Sequence, residues 1–212
     1  MADQNDIHGT TPSITGGTGS TRPASATIAA ITRAPQSLAF VLRLDPAVLP
    51  GLAERDGGCL DLLRGQINGA TTPPGQSRQA LRLGPDEWLI LAPLAQGNST
   101  AGPLGDEIGS ALAGTAHSIV DITHRDLTYR LAGPLVENVL SAGCALPLDI
   151  RSFPAGRATR TLLGKTGVVL WRPDPECFQI AVGRSFAPYL EDFLQQAISN
   201  ETAIAAASRA PA

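Results

Sequence analysis

RATRTLLGKTGVVLWRPDPECFQIAVGRSFAPYLEDFLQQAI, residues 157–198, decides the fold. RATRTLL, GVVLWR and CFQIAVG are strand-like runs, and the GKT and PDPE between them have turn composition. The period then changes. In SFAPYLEDFLQQAI the residues Phe186, Tyr189, Leu190, Phe193, Leu194 and Ala197 recur at helical spacing, with Ser185 placed as N-cap and Pro188 inside the first turn. Three antiparallel strands closed by an amphipathic helix are predicted. That helix must lie on a sheet or a partner.

The same grammar repeats toward the amino terminus. GPLVENVLSAG (133–143) reads as a short helix opened by Pro134 and ended by Gly143. SIVDI (118–122) and LTYRL (127–131) read as strands, and Pro103 to Ala113 as a helix with Leu104, Ile108 and Leu112 on one face. QALRL and EWLILA form a hairpin across GPDE, while ATIAAI (26–31) and SLAFVLRL (37–44) are two further strands. The segment after Gly57-Gly58-Cys59 is ambiguous. Strands in pairs, each pair followed by a helix, predict an α+β fold: a duplicated ferredoxin-like pattern, with a mostly antiparallel sheet and helices on one face. A Rossmann fold would need single strands alternating with helices and a glycine-rich first turn.

The predicted domain runs from 26 to 200. Residues 1–25 hold almost no large apolar side chain, so ordering them would cost chain entropy with little buried in return; they read as a flexible arm. GGTG within the arm lacks the strand and the Lys-Ser/Thr ending of a phosphate loop. Residues 201–212 form an Ala-rich tail able to continue a helix or to fray. Loops are expected around 75–78 and 94–103.

Composition narrows the function. The chain has 212 residues, 43% of them hydrophobic, a net charge of −3 and a pI near 5.6, so there is no electrostatic footprint for nucleic acid. No apolar run reaches the roughly 20 residues of a membrane helix, and the amino terminus lacks a secretory apolar block, which makes the cytoplasm the expected location. Cys59, Cys144 and Cys177 are too scattered for a disulfide framework or a zinc site.

Chemistry is concentrated in IVDITHRDLTYRLAGP (119–134), where Asp121, His124, Arg125 and Asp126 fall within six positions. Acid–base catalysis would need an orienting partner for His124 and a pocket for substrate, and Asp121 is placed to supply the first. A structural use needs less: polar side chains at a turn satisfy exposed backbone groups at a sheet end or an interface. No G-x-S-x-G elbow surrounds Ser118, Ser141 or Ser185, and Cys144 follows a helix end, which suits a buried small hydrophobe better than a thiolate. Trp88 and Trp171 read as core. Arg157 and Arg160 project from opposite faces of a strand, where one could enter a buried ion pair or both stay solvated. No triad, metal set or nucleotide fingerprint assembles, so no catalytic, cofactor-binding or metal residue is assigned, and docking is the default role.

LRLGPDEWLIL (81–91), HSIVDITHRDLTYRLAGP (117–134), VLSAGCALPLDIRSFPAGRATRTLLGKTGVVLWR (139–172) and RSFAPYLEDFL (184–194) together resemble the gamma subunits of bacterial heterotetrameric sarcosine oxidases. The resemblance implies a folded module related to the aminomethyltransferases, in a complex that oxidatively demethylates sarcosine to glycine with formaldehyde or methylene-tetrahydrofolate and hydrogen peroxide. It implies alpha, beta and delta partner subunits, with alpha the main contact. FAD, FMN, NAD and zinc would sit in those other subunits, tetrahydrofolate would be a co-substrate, and no cofactor would be bound here. His124, Arg125, Arg157 and Arg160 become expected interface residues. A stand-alone folate-binding aminomethyltransferase-like protein, or a complex acting on another N-methyl amino acid or opine, is the alternative. The K-G-C-Y-type segment of stand-alone folate-dependent relatives is not in the sequence.

Overall fold

The computed structural model describes residues 28–52, 58–94 and 102–208. Among these residues ten strands run β1 (Ala30–Arg33), β2 (Ser37–Leu44), β3 (Gly69–Thr71), β4 (Gln79–Arg82), β5 (Glu87–Pro93), β6 (His117–Asp121), β7 (Asp126–Ala132), β8 (Ala158–Leu163), β9 (Thr166–Asp174) and β10 (Cys177–Gly183). The α-helices are a single turn α1 (Leu49–Leu52), then α2 (Gly102–Ala111), α3 (Val136–Ser141) and α4 (Ala187–Ala207).

The strands form two five-stranded sheets, ordered β1-β7-β10-β9-β8 and β3-β4-β5-β2-β6, with antiparallel pairing throughout. The predicted duplication is present: β7-β10-β9-β8 matches β2-β5-β4-β3 position for position, and β1 and β6 take equivalent edges. Alternation along each strand divides the core into three. On the outer face of the first sheet, Tyr129, Leu131, Leu170, Phe178 and Ile180 meet α3 and α4. On the outer face of the second, Phe40, Leu42, Trp88 and Ile90 meet α1, α2 and residues 59–63. Between the sheets lie Leu81, Leu89, Ile122, Ala158, Val169, Trp171 and Ala181. Among the described residues each sheet therefore carries helices on one face and meets the other sheet with its second, so both faces of its strands are apolar.

The sheets also join along one seam. Ala70 N–H donates to Gly156 O at 2.7 Å and Ala158 N–H to Asn68 O at 2.9 Å, so the β3 edge pairs locally with the approach to β8. Asn68 turns the chain into this seam at φ +61°, a left-handed conformation that asparagine tolerates better than most residues.

Several expectations change. Of the strand expected over 26–31, residues 28–29 are not strand and the first described strand is Ala30–Arg33; residues 26–27 and the 1–25 arm lie outside the described residues. The ambiguous segment after Cys59 is a 3-10 turn, Asp61–Arg64, followed by the short β3. Ser185 does not cap α4: Phe186 occupies that position without a side-chain hydrogen bond, behind the 3-10 turn Arg184–Phe186. The buried stripe of α4 is Ala187, Leu190, Leu194 and Ala197, while Phe186 and Tyr189 are exposed. The helix continues through the Ala-rich sequence to Ala207. No helix among the described residues is long and apolar enough to cross a membrane.

Candidate functional site

The Asp121–Asp126 stretch is the crossing from the second sheet to the first, not a turn between neighbouring strands. Its backbone is held from both sides. Ile122 N–H donates to Ala39 O at 2.8 Å, Arg125 N–H to Ile122 O at 2.9 Å, and Arg184 N–H to Arg125 O at 3.0 Å. Thr123 is buried; its hydroxyl accepts from Ala39 N–H at 3.1 Å, and its own N–H donates to Asp121 Oδ1 at 2.8 Å. These residue types are at the crossing because it leaves backbone groups that neither ladder can satisfy.

His124 is exposed, with Nδ1 3.1 Å from Gln36 Nε2, and its carbonyl accepts from Arg184 Nε at 3.1 Å. Asp121 serves Thr123 rather than His124, so the orienting pair required for acid–base chemistry is not formed. Hydrogen bonds from the Thr123 hydroxyl and N–H hold the Asp121 carboxyl below the usual aspartate range. A depressed folded-state value stabilises the protein above the ordinary aspartate pKa and loses that contribution as pH falls through the folded value. In acid titrations of stability below about pH 4, Asp121→Asn is therefore expected to show a shallower decline than the parent chain, with the difference vanishing at the acid end.

Arg125 and Arg160 stand on a groove of about 390 Å³ opened by the crossing, whose floor includes Gly167 and Ala181 and whose wall includes Phe186. Arg125 pairs with Asp126 through Nε at 3.1 Å and Nη2 at 3.0 Å. Arg160 pairs with Glu87 of the opposite sheet, and Glu87 in turn accepts from Arg43 Nη2 at 2.7 Å. This charge clasp links the sheets but is half exposed at Arg160, so Arg160→Ala is expected to cost less than about 1 kcal/mol in thermal or urea unfolding. Arg157 does not join it. It precedes β8 at the seam, with its guanidinium 5.8 Å from the Phe153 ring centroid.

The deeply buried arginine is Arg172, at 2% exposure, which had no place among the expected site residues. Nη1 donates to Leu148 O at 2.9 Å and Phe153 O at 3.0 Å, Nε to Pro175 O at 3.0 Å, and Nη2 to Glu137 Oε1 at 2.6 Å. The guanidinium also lies 4.8 Å from the Phe178 ring centroid. It binds the 144–156 loop and α3 to β9. The signal in the sequence was an arginine ending the apolar run GVVLW, where a solvated end is the common reading.

Among the described residues no three His, Cys, Asp or Glu side chains stand together as a metal-binding group. The cleft between the sheets, bounded by Gln36, Leu89, Leu91, Ile122 and Ala181, offers about 60 Å³. Ligand pockets begin near roughly 300 Å³, so this cleft does not fit a flavin or a pteridine.

Two like five-stranded antiparallel sheets, each with helices on one face and joined by the Asp121–Asp126 crossing, define the fold class. The chain is similar to glycine cleavage system aminomethyltransferase T from Bartonella henselae, at a TM-score of 0.57 and 15% identity, over 80% of this chain and 46% of that one. It is also similar to a chain of the heterotetrameric sarcosine oxidase from Corynebacterium sp. U-96, at a TM-score of 0.71 and 22% identity, over 84% of this chain and 88% of that one. In sequence it is 30% identical over 151 residues to the sarcosine oxidase subunit gamma of Arthrobacter sp., covering 68% of this chain and 70% of that protein. It is 29% identical over 176 residues to the Corynebacterium sp. (strain U-96) subunit, covering 79% and 80% respectively. The profile of the sarcosine oxidase, gamma subunit family matches residues 70–201, and the chain belongs to that family.

Proposed function

We propose that this chain is the small, non-catalytic subunit of a cytoplasmic heterotetrameric sarcosine oxidase, docking on larger subunits and stabilising them. The family match over residues 70–201 carries this reading. In it, the alpha subunit is the main contact through its folate-binding part, and beta and delta complete the assembly. FAD, FMN, NAD and zinc are held by the other subunits, and tetrahydrofolate is a co-substrate that accepts the methyl carbon as methylene-tetrahydrofolate. The oxidation of sarcosine to glycine and hydrogen peroxide then occurs away from this chain.

His124, Arg125, Arg157 and Arg160 are proposed to contact neighbouring subunits or to support the surface that does. Co-expression with the large subunits tests the reading: the chain is expected to purify within a yellow, active complex and to be colourless and inactive alone. His124→Ala is expected to leave turnover per assembled complex unchanged. Loss of turnover in a fully assembled His124→Ala complex would place chemistry in this chain. Micromolar binding of a reduced folate by the isolated chain would favour a free-standing folate protein instead.

A further inference from the structure

We infer that the groove beside Phe186 seats one large apolar side chain, flanked by a carboxylate, from a larger subunit of the oxidase; this rests on the docking role proposed above. The inner face of the first sheet runs past the area covered by the second. Ala158, Arg160 and Leu162 alternate onto that face, and Ala158 is enclosed between the sheets, yet Leu162 is 63% exposed opposite Gly167. Phe186, on the adjoining wall, is 53% exposed. An isolated exposed leucine is ordinary, but Leu162, paired across the strands with the groove-lining Gly167, and Phe186 on the wall put two large exposed apolar side chains beside one groove, which marks an interaction surface.

Charge selects the occupant. Arg125 and Arg160 are already balanced by Asp126 and Glu87. Arg184 and Lys165, which flank the groove-lining residues in sequence, are exposed and have no carboxylate within ion-pair distance among the described residues. Arg184, set between the groove-lining Gly183 and Ser185 and bonded to the carbonyls of His124 and Arg125, and Lys165, next to the groove-lining Thr166, thus leave positive charge unbalanced beside the groove. A second copy would bring a like-charged rim against it, whereas an apolar segment with an Asp or Glu neighbour satisfies both the uncovered surface and the charge.

Gly167 provides a test that spares the fold. A Cβ there meets no atom of the described residues within 4 Å, and its backbone is not in the left-handed region, so the side chain of Gly167→Trp leaves the strand into open space at the groove. With the parent chain co-purifying with the large subunits, Gly167→Trp and Phe186→Asp are expected to reduce recovery in the complex at least tenfold. Their melting temperatures as full-length chains should stay within a few degrees of the parent's. Arg184→Glu is expected to weaken association and to reduce its salt sensitivity, and Ala203→Trp, on the exposed end of α4, to assemble normally. Should the parent chain itself fail to join the complex, the docking role is wrong. Should it join and Gly167→Trp join equally well, the groove assignment is wrong. It is also overturned if the isolated chain is a dimer that Gly167→Trp dissociates while the complex still forms, because the occupant is then a second copy.

Discussion

Arg172→Met is expected to lose about 3–5 kcal/mol in urea unfolding, a large part of a domain's net stability. Methionine replaces the volume of the stem but leaves the carbonyls of Leu148, Phe153 and Pro175 without the donors they face at 2.9, 3.0 and 3.0 Å. Glu137 is a lesser part of the loss, since its side chain is 35% exposed and its carboxylate rehydrates once the cation is gone. Arg172→Met combined with Glu137→Gln should therefore recover only a small fraction. Arg172→Lys should also be strongly destabilised, because one ammonium cannot reach acceptors arranged around a planar guanidinium. An Arg172→Met chain with a parental midpoint and an unchanged denaturant slope would show that these contacts carry no net stability.

The two tryptophans separate packing from hydrogen bonding. Trp88 and Trp171 are both fully buried, and replacement by alanine is expected to cost about 3–5 kcal/mol at either position through lost burial and the cavity left behind. Phenylalanine distinguishes them. Trp88 Nε1–H donates to Leu63 O at 3.0 Å, so Trp88→Phe strands a buried carbonyl and adds about 1–3 kcal/mol to the loss of ring area. Trp171 Nε1–H is buried between the sheets with no acceptor among the described residues, so Trp171→Phe removes an unsatisfied donor along with part of the ring. Thermal melts should rank Trp171→Phe above Trp88→Phe. The reverse order would contradict the hydrogen-bond assignment.

The elements with strong periodicity were legible. The hairpin across GPDE, the run β8–β10 and the Leu190, Leu194 and Ala197 stripe of α4 follow from spacing because each buries one face against a neighbour in sequence. The partition of strands between sheets was not. SIVDI and LTYRL are separated by a turn-like THRD, and nothing local distinguishes a hairpin from a crossing when both need polar residues to satisfy loose backbone ends. The exposure of Phe186 and Tyr189 was hidden for a related reason: helical spacing identifies an apolar stripe but not how wide a sheet lies beneath it. The site residues divide in the same way. Arg125 and Arg160 line one groove because the crossing and β8 meet there, whereas His124 meets Gln36 and Arg157 is drawn to the seam.

The chain sets down β1 in one sheet, builds β2 to β6 of the other, and only then returns with β7, the partner that β1 pairs with from Ala30↔Ala132 to Arg33↔Tyr129. During ribosomal synthesis, where amino-terminal segments emerge first, the second sheet has all its strands before β1 has a neighbour. β1, the first strand among the described residues to leave the ribosome, thus waits with open hydrogen-bonding edges until residues 126–132 appear. Nascent chains arrested before β7 should consequently recruit chaperones through their first strand, and arrest beyond β10 should release them.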